Sequence, residues 1–204
     1  MGRIFAAVYD RMLASTEEAG LREQRARLVG RAQGVVVEIG AGTGLNFEHY
    51  DRSAVERLVL CEPDPHMARK LRERVGKGAD VIEAPAERLP LEDGIADTVV
   101  GTLVLCTVDD PETALAEVAR VLKPGGRLLA FEHVRSDDPG RAKWQDRLER
   151  PWGWFGAGCH PNRDTLATLQ ASPLRVVESE DTRLPKAPPV VRPALVAVAE
   201  RPPG

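Results

Sequence analysis

The sequence is poor in the features that mark secreted, disulfide-bonded and nucleic-acid-binding proteins. Its 204 residues include three cysteines and carry a formal net charge of −3. The cysteines form no CxxC pair and one of them must stay unpaired, so the sequence predicts neither a disulfide framework nor a zinc knuckle. A reducing compartment is the simpler interpretation. The slightly acidic balance argues against a general nucleic-acid binder, which needs basic residues to neutralise phosphates.

Long apolar runs are also missing. None approaches the roughly 20 residues that a membrane helix needs, and the apolar stretch from Ile4 to Val8 is ended by Tyr9 and Asp10. We therefore expect no targeting segment, no membrane association and a cytoplasmic location. With 43% hydrophobic and 29% charged residues, the composition is typical of a single globular domain, here spanning residues 1–204.

The sequence does contain an alternation of short β-like runs with amphipathic helices. This alternation predicts an α/β fold with a mostly parallel sheet. Seven strands are predicted, at residues 35–39, 58–62, 81–83, 98–103, 127–132, 174–178 and 195–199. The fifth strand is expected to begin after a chain break at Pro124-Gly125-Gly126, because proline and glycine interrupt regular structure.

Capping residues predict where several helices begin or end. The predicted boundaries are an N-cap with a following proline at Asp64-Pro65, the same pair at Asp110-Pro111, a capping box at Ser15 and Glu18, and an end near Pro151 for a helix containing Trp144 and Leu148.

A glycine-rich turn follows the first predicted strand directly. Residues 38–44 read Glu-Ile-Gly-Ala-Gly-Thr-Gly, and glycines allow a ligand to approach the backbone closely. Open α/β sheets bind nucleotides at such turns. A dinucleotide fingerprint would place its third glycine at Leu45, which disfavours a nicotinamide site. Glu62 ends the second strand, where an acid can accept both hydroxyls of a ribose; the alternative is an acid stabilised by a helix N-terminus.

Four motifs follow one another along the chain: Glu38-x-Gly40-x-Gly42-x-Gly44, Glu62, Ala96-Asp97-Thr98-Val99-Val100 and Leu122-Lys123-Pro124-Gly125-Gly126. Together they resemble the motifs of class I S-adenosylmethionine-dependent methyltransferases. The resemblance implies a Rossmann-like sheet of seven strands, six parallel and the seventh antiparallel, with helices on both faces. It also implies S-adenosylmethionine as cofactor and S-adenosylhomocysteine as product. Ala96 departs from the phenylalanine that the family often has there.

The same resemblance implies roles for individual residues. Glu38 and the glycine turn would face the methionine moiety, Glu62 would hold the ribose, and residues 84–90 would border the adenine. Tyr9 would belong to a helical lid at residues 1–30 that covers the methionine end. The implied cofactor-binding residues are Tyr9, Glu38, Gly40, Ala41, Gly42, Gly44, Asn46, Glu62, Pro63, Met67, Ala86, Glu87, Thr102 and Leu103.

Further motifs lie mainly in the second half of the chain: residues 62–66, Thr102 to Cys106, Glu132-His133-Val134, Trp144-Gln145, and Gly158-Cys159 with Arg163. These are similar to the methyltransferase-like 7 proteins, which are animal alkyl-thiol methyltransferases anchored to membranes by an N-terminal apolar helix. The sequence shows no such helix, and we therefore do not expect the membrane association to carry over.

His133 is the candidate catalytic residue, as a general base. It lies at the predicted carboxyl end of the fifth strand, facing the crevice where α/β sheets bind ligands. The alternative is a histidine held by backbone hydrogen bonds. Cys106 is expected to line the pocket, but no motif supplies Cys106 or Cys159 with an activating base. The sequence shows no cluster of metal ligands, and we expect no metal.

The resemblance therefore implies a small-molecule methyltransferase, with a thiol as the favoured acceptor. A thiol, with a pKa near 8.5, needs less help to ionise than a phenol, near 10. Acceptor selectivity is expected from the N-terminal helices and from a substrate-side insertion at residues 135–171. The aromatic residues Trp144, Trp152, Trp154 and Phe155 of that insertion are either a substrate wall or core.

Three alternatives remain open from the sequence. They are an O- or N-methyltransferase of a small aromatic or quinone-like metabolite, a nicotinamide-dependent oxidoreductase, and a cofactor-binding protein without catalytic activity. In the methyltransferase interpretation the partner is a small-molecule methyl acceptor rather than a nucleic acid or a membrane. The protein would be a monomer or a homodimer.

Overall fold

The computed structural model describes residues 3–156 and 158–203. The strands are β1 (Gly34–Ile39), β2 (Val55–Cys61), β3 (Asp80–Ile82), β4 (Ala96–Thr102), β5 (Leu122–His133), β6 (Arg175–Arg183) and β7 (Pro193–Glu200). The α-helices are α1 (Arg3–Thr16), α2 (Arg22–Val29), α3 (Pro65–Val75), α4 (Pro111–Val121), α5 (Pro139–Phe155) and α6 (Thr165–Ala171). A π-helical segment, Glu17–Leu21, joins α1 to α2, and short 3₁₀ turns cover Phe47–His49 and Pro189–Val191.

The strands of the described residues form one seven-stranded sheet in the order β3-β2-β1-β4-β5-β7-β6. Neighbouring strands from β3 to β5 pair in parallel, and β7 runs antiparallel to both β5 and β6. The predicted mostly parallel α/β sheet with an antiparallel seventh strand is therefore confirmed. The order reverses between β1 and β4, and ligands bind at such switch points, beyond the carboxyl ends of the strands.

Each face of the sheet carries its own apolar core, because successive side chains of a strand point to opposite faces. Val37 of β1 packs with Leu115 and Val118 of α4 in one core. Its neighbour Val36 packs with Leu28 of α2 and Leu71 of α3 in the other. Helices thus cover both faces, and the crevice between the two layers opens at the strand ends.

Two of the predicted helix starts are confirmed. The Asp64 carboxylate accepts hydrogen bonds from the backbone N–H groups of His66 and Met67 at the start of α3. Asp110 does the same at the start of α4. In both cases proline follows at the first helical position, where its missing N–H costs nothing.

Two other helix boundaries differ from prediction. The capping box at Ser15 and Glu18 is wrong, because α1 runs through Ser15 and passes into the π-helical segment, with the kink taken up by Gly20 at φ +129°. The predicted end at Pro151 is also wrong. Helix α5 continues to its Phe155 end with that proline inside it, and Trp152, in the turn that follows the proline, packs on the core.

The break before the fifth strand is a bulge within it. Leu122 already pairs with Ala96 of β4, and pairing resumes at Arg127 with Thr98. The intervening turn stays tied to the sheet, since Gly125 N–H donates to the Arg201 carbonyl at 2.9 Å.

Among the described helices, none is long and apolar enough to cross a membrane.

Candidate functional site

The strand ends open into a cavity of about 480 Å³, here called the main cavity. This volume lies in the range of small-ligand pockets. The glycine turn after β1, the end of β2, the loop after β4 and the end of β5 all contribute to its wall. Further wall comes from α1 through Tyr9, Met12, Leu13 and Thr16, and from the β6–β7 connection through Leu184, Ala187, Pro188 and Val191.

Two glycines of the turn have different tasks. Gly40 and Gly42 both have positive φ, +58° and +59°. A Cβ at Gly40 would lie 2.1 Å from Val104 Cγ2, so this glycine lets the loop after β4 pack against the turn. A Cβ at Gly42 would have Tyr9 Cε1, 4.0 Å away, as its nearest described neighbour. The room beside Gly42 belongs to the main cavity, where a ligand can approach the backbone.

Glu62 follows β2 and is fixed to this turn. Its carboxylate accepts hydrogen bonds from Gly42 N–H at 2.8 Å and from Asp64 N–H at 2.9 Å. Burial raises the pKa of Glu62. Because a carboxylate oxygen can accept two hydrogen bonds, each oxygen keeps acceptor capacity for a ligand in the cavity. Pro63 and Met67 line the wall beside it.

Glu38 lies behind the turn in a buried polar network. It accepts hydrogen bonds from Asn46 Nδ2 at 2.9 Å and from the Tyr50 hydroxyl at 2.5 Å. Burial raises the pKa of Glu38 to about 7. Arg25 completes the network by donating to Asn46 Oδ1 and Thr102 Oγ1. This network surrounds a second, small cavity of about 20 Å³.

Arg25 and Tyr50 were not predicted as site residues. A signal for Arg25 was present, because it stands four residues after Leu21 and three before Leu28, on the apolar stripe of its helix. A charged residue at such a position needs buried partners. Tyr50 gave no comparable signal, since its contact with Glu38 depends on how the turn folds back.

The predicted cofactor residues divide into three groups. The main cavity is lined by Tyr9, Gly40, Gly42, Glu62, Pro63, Met67, Ala86, Glu87, Thr102 and Leu103. The small cavity is lined by Glu38, Ala41 and Asn46, among others. Gly44 lies away from both cavities. A Cβ there would be 2.7 Å from Leu71 Cδ1, so this glycine allows α3 to pack closely on the turn.

The predicted base lies in the wall of the main cavity beside two sulfur atoms. His133 Nε2 is 2.7 Å from Cys159 Sγ, and Trp152 Nε1 donates to the same sulfur at 3.1 Å. The candidate ligand atoms of Cys106, His133 and Cys159 all lie within 4.8 Å of one another. These three residues, all buried and all lining the main cavity, are called the Cys-His-Cys cluster.

The two thiols of the cluster shift each other's acidity. A hydrogen bond from Cys106 lowers the pKa of the Cys159 thiol, and the contacts with His133 and Trp152 act in the same direction. The same bond, together with burial, raises the pKa of Cys106. Cys159 thus has an imidazole within hydrogen-bonding distance, which no sequence motif indicated. The structure also brings together a potential metal-ligand cluster that the sequence did not show. Residues from three distant segments leave no spacing pattern in a sequence.

Glu132 holds the loop that carries Cys106. Its buried carboxylate accepts the backbone N–H groups of Val104 and Leu105 at 2.9 Å and that of Cys106 at 3.3 Å. Burial raises the pKa of Glu132. The Cys106 carbonyl in turn accepts His160 N–H at 2.8 Å, which ties the Cys159 turn to the same loop. Hydrogen bonds thus hold the backbone segments that carry Cys106 and Cys159 next to each other.

Of the described aromatic side chains that the sequence offered as a substrate wall or as core, one lines the cavity. Trp152 lines the main cavity, whereas Trp144 and Trp154 are 59% and 82% exposed. The Phe155 side chain lies outside the described part of the structure. Helix α5 therefore presents one indole to the cavity and two to solvent.

Comparisons with known proteins show the family and the fold. The Methyltransferase domain family matches residues 37–130. Thiol S-methyltransferase TMT1B of Rattus norvegicus is 34% identical over 188 residues, which cover 88% of this chain and 75% of that protein. A SAM-dependent methyltransferase from Thermotoga maritima has a similar structure, with a TM-score of 0.71 at 22% identity over 98% of this chain and 97% of that one. Geranyl diphosphate methyltransferase, solved in complex with SAM, gives 0.70 at 14% identity over 90% and 85%.

Proposed function

The chain belongs to the class I S-adenosylmethionine-dependent methyltransferases, and from that premise we propose that it methylates the sulfur of a small apolar thiol. The carrying observation is the Cys-His-Cys cluster in the wall of the main cavity. The identity to thiol S-methyltransferase TMT1B supports the same acceptor class. Neither observation favours the nicotinamide-dependent alternative.

The residues around the glycine turn fit S-adenosylmethionine, which supplies an electrophilic methyl group on a sulfonium when bound. The open space beside Gly42 admits a ligand against the backbone. Glu62, already oriented by two backbone N–H groups, is suited to accept ribose hydroxyls. The buried carboxylate of Glu38 is suited to the cationic methionine end, because a bound cation would offset the cost of ionising a buried carboxylate.

The acceptor side suits a molecule that is apolar apart from one sulfur. Its wall is formed by side chains such as Met12, Leu13, Leu184 and Val191. A methyl acceptor must lose its thiol proton, because the thiolate is the nucleophile. We propose that His133, the general base expected from the sequence, assists this deprotonation as part of the Cys-His-Cys cluster.

The surrounding segments have proposed roles too. The helical lid of residues 1–30 would cover the cofactor, since Tyr9 and Met12 of α1 line the cavity. The substrate-side insertion at residues 135–171 would help to select the acceptor through Trp152 and Cys159. The β6–β7 connection, for which the sequence predicted no role, adds further apolar side chains to the cavity wall.

The proposal is tested with labelled S-adenosylmethionine and isosteric acceptor pairs: benzyl mercaptan with benzyl alcohol and benzylamine, and thiophenol with phenol. We expect methyl transfer to the thiols, followed as S-adenosylhomocysteine release, and little to their partners. Glu62→Ala, which should weaken cofactor binding by about 1.5–3 kcal/mol, serves as the control for specific turnover. Methylation of a phenol, alcohol or amine without any thiol would contradict the acceptor class.

A further inference from the structure

Three buried side chains of metal-binding type meet at the acceptor side of the main cavity. Cys106 comes from the loop after β4, His133 from the end of β5, and Cys159 from the turn after α5. Their candidate ligand atoms lie within 4.8 Å of one another. Zinc–sulfur and zinc–nitrogen distances of about 2.3 and 2.0–2.1 Å place tetrahedral ligands roughly 3.5–3.8 Å apart. The separations in the cluster, 2.7 Å between His133 Nε2 and Cys159 Sγ and at most 4.8 Å for the other pairs, bracket that value.

We propose that the Cys-His-Cys cluster binds a zinc ion whose fourth coordination position opens into the main cavity. Two thiolates and one imidazole form a soft ligand set, which suits zinc and does not suit magnesium or calcium. Protein zinc sites with three side-chain ligands and one open position are the catalytic kind, whereas structural sites have four. All three residues line the cavity, so a fourth ligand reaches the ion from the acceptor side.

The surroundings of the cluster support ligation. Trp152 Nε1 donates to Cys159 Sγ at 3.1 Å, and the Glu132 carboxylate fixes the backbone of Cys106. Hydrogen bonds of this kind orient metal ligands and tune their basicity. Nδ1 of the buried His133 has no hydrogen-bond partner among the described residues. Nε2 is the ring nitrogen that faces Cys159 Sγ, so it is the ligand atom, and the ring proton of the neutral imidazole is then on Nδ1.

The consequence for the acceptor rests on the proposed function. When a thiol takes the fourth position, a zinc–sulfur bond forms, the S–H bond breaks, and the proton leaves to water. A thiol coordinated to zinc is deprotonated outright, so the acceptor is held as a thiolate facing the cofactor. In this arrangement His133 acts as a ligand, and the ion carries out the activation.

The test begins with metal content, which does not depend on turnover. Protein loaded with zinc and freed of excess metal should retain about one ion per chain. Cys106→Ser, Cys159→Ser and His133→Ala should each lose most of it. Cys61→Ser is the matched control, because Cys61 is also a buried free thiol but lies outside the cluster. Binding of S-adenosylhomocysteine, which uses Glu62 and the glycine turn, verifies that each variant is folded.

Cobalt replacement then reports the coordination. The Co²⁺ form should show thiolate-to-metal charge-transfer bands that disappear in Cys159→Ser and persist in Cys61→Ser. Adding benzyl mercaptan should intensify those bands, whereas benzyl alcohol should not.

Two metal-content results would overturn the zinc proposal: folded wild-type protein that retains no stoichiometric metal, and metal retention that survives Cys159→Ser unchanged. Thiol methylation at full rate by metal-free protein would overturn it while leaving the proposed function intact. Metal binding together with methylation of non-thiol acceptors alone would leave the zinc site intact and remove the proposed function.

Discussion

The two sides of the main cavity are made of different chemical groups. The cofactor side is built from backbone: glycines at positive φ, and N–H groups that fix the Glu62 carboxylate. The acceptor side is built from side chains, with the Cys-His-Cys cluster set among apolar residues. In the proposed function, backbone groups and carboxylates bind the cofactor, which is the same in every turnover. Sulfur and imidazole would act on the one reacting atom of the acceptor, and the apolar wall would leave the remainder of the acceptor loosely specified.

The largest effect is expected from filling the space at the glycine turn. Gly42→Leu should abolish S-adenosylmethionine binding, because the side chain would occupy the room beside Tyr9 and the residue would be strained at φ +59°. Calorimetry with S-adenosylhomocysteine measures this. Gly94→Leu is the matched control: it has a similar φ of +64° with open space around it in the described structure. It should cost about 1–2 kcal/mol of stability with cofactor affinity unchanged; equal affinity in both variants would contradict the assignment.

A change on the acceptor side should leave cofactor binding untouched. His133→Ala should slow thiol methylation roughly 10²–10⁴-fold, the range for loss of proton-handling catalysis. Raising the pH toward the acceptor's own pKa should restore part of the rate, because solvent then supplies the thiolate. Stopped assays from neutral to alkaline pH, with thermal shifts by S-adenosylhomocysteine as the folding control, provide the measurement. A full rate at neutral pH would make His133 structural.

A smaller effect concerns the network behind the turn. The unfolded chain ionises Glu38 near pH 4.5, whereas the folded protein holds the proton up to a pKa of about 7. The folded state binds more protons in this window, so its stability falls as the pH rises from about 4.5 to 7. Glu38→Gln removes this contribution. Between pH 4.5 and 7, the free energy of unfolding of the variant should rise relative to that of the wild type by about 1–3 kcal/mol. Urea denaturation at several pH values measures this difference. A difference that does not change with pH would refute the prediction.

The smallest effect should be seen in the proposed lid. Helix α1 should exchange its amide hydrogens more slowly when S-adenosylhomocysteine is bound, since Tyr9 and Met12 line the cavity. Helix α4, on the other side of the sheet core, is the internal reference. Protection in α1 that is identical with and without the ligand would mean that the segment is a fixed wall.

The cavity wall around the glycine turn was predictable because its residues are close in sequence or lie at the ends of predictable strands. Glu38, the glycines and Glu62 follow two apolar runs directly, and the parallel sheet brings those ends together. The Cys-His-Cys cluster depends on three segments meeting in space. The errors at Ser15 and Pro151 have local causes: Gly20 absorbs the kink after α1, and packing of Trp152 holds α5 together beyond its proline.

The loop after β4 reaches both sides of the cavity. Val104 packs against Gly40 of the cofactor turn, Cys106 belongs to the acceptor cluster, and one carboxylate, that of Glu132, holds the N–H groups of both. In-line methyl transfer depends on the separation of donor and acceptor, where misplacement by about 1 Å costs roughly 100-fold in rate. We therefore expect Glu132 to fix the distance between the glycine turn and the Cys-His-Cys cluster through this loop, and with it the separation of donor and acceptor in the proposed reaction.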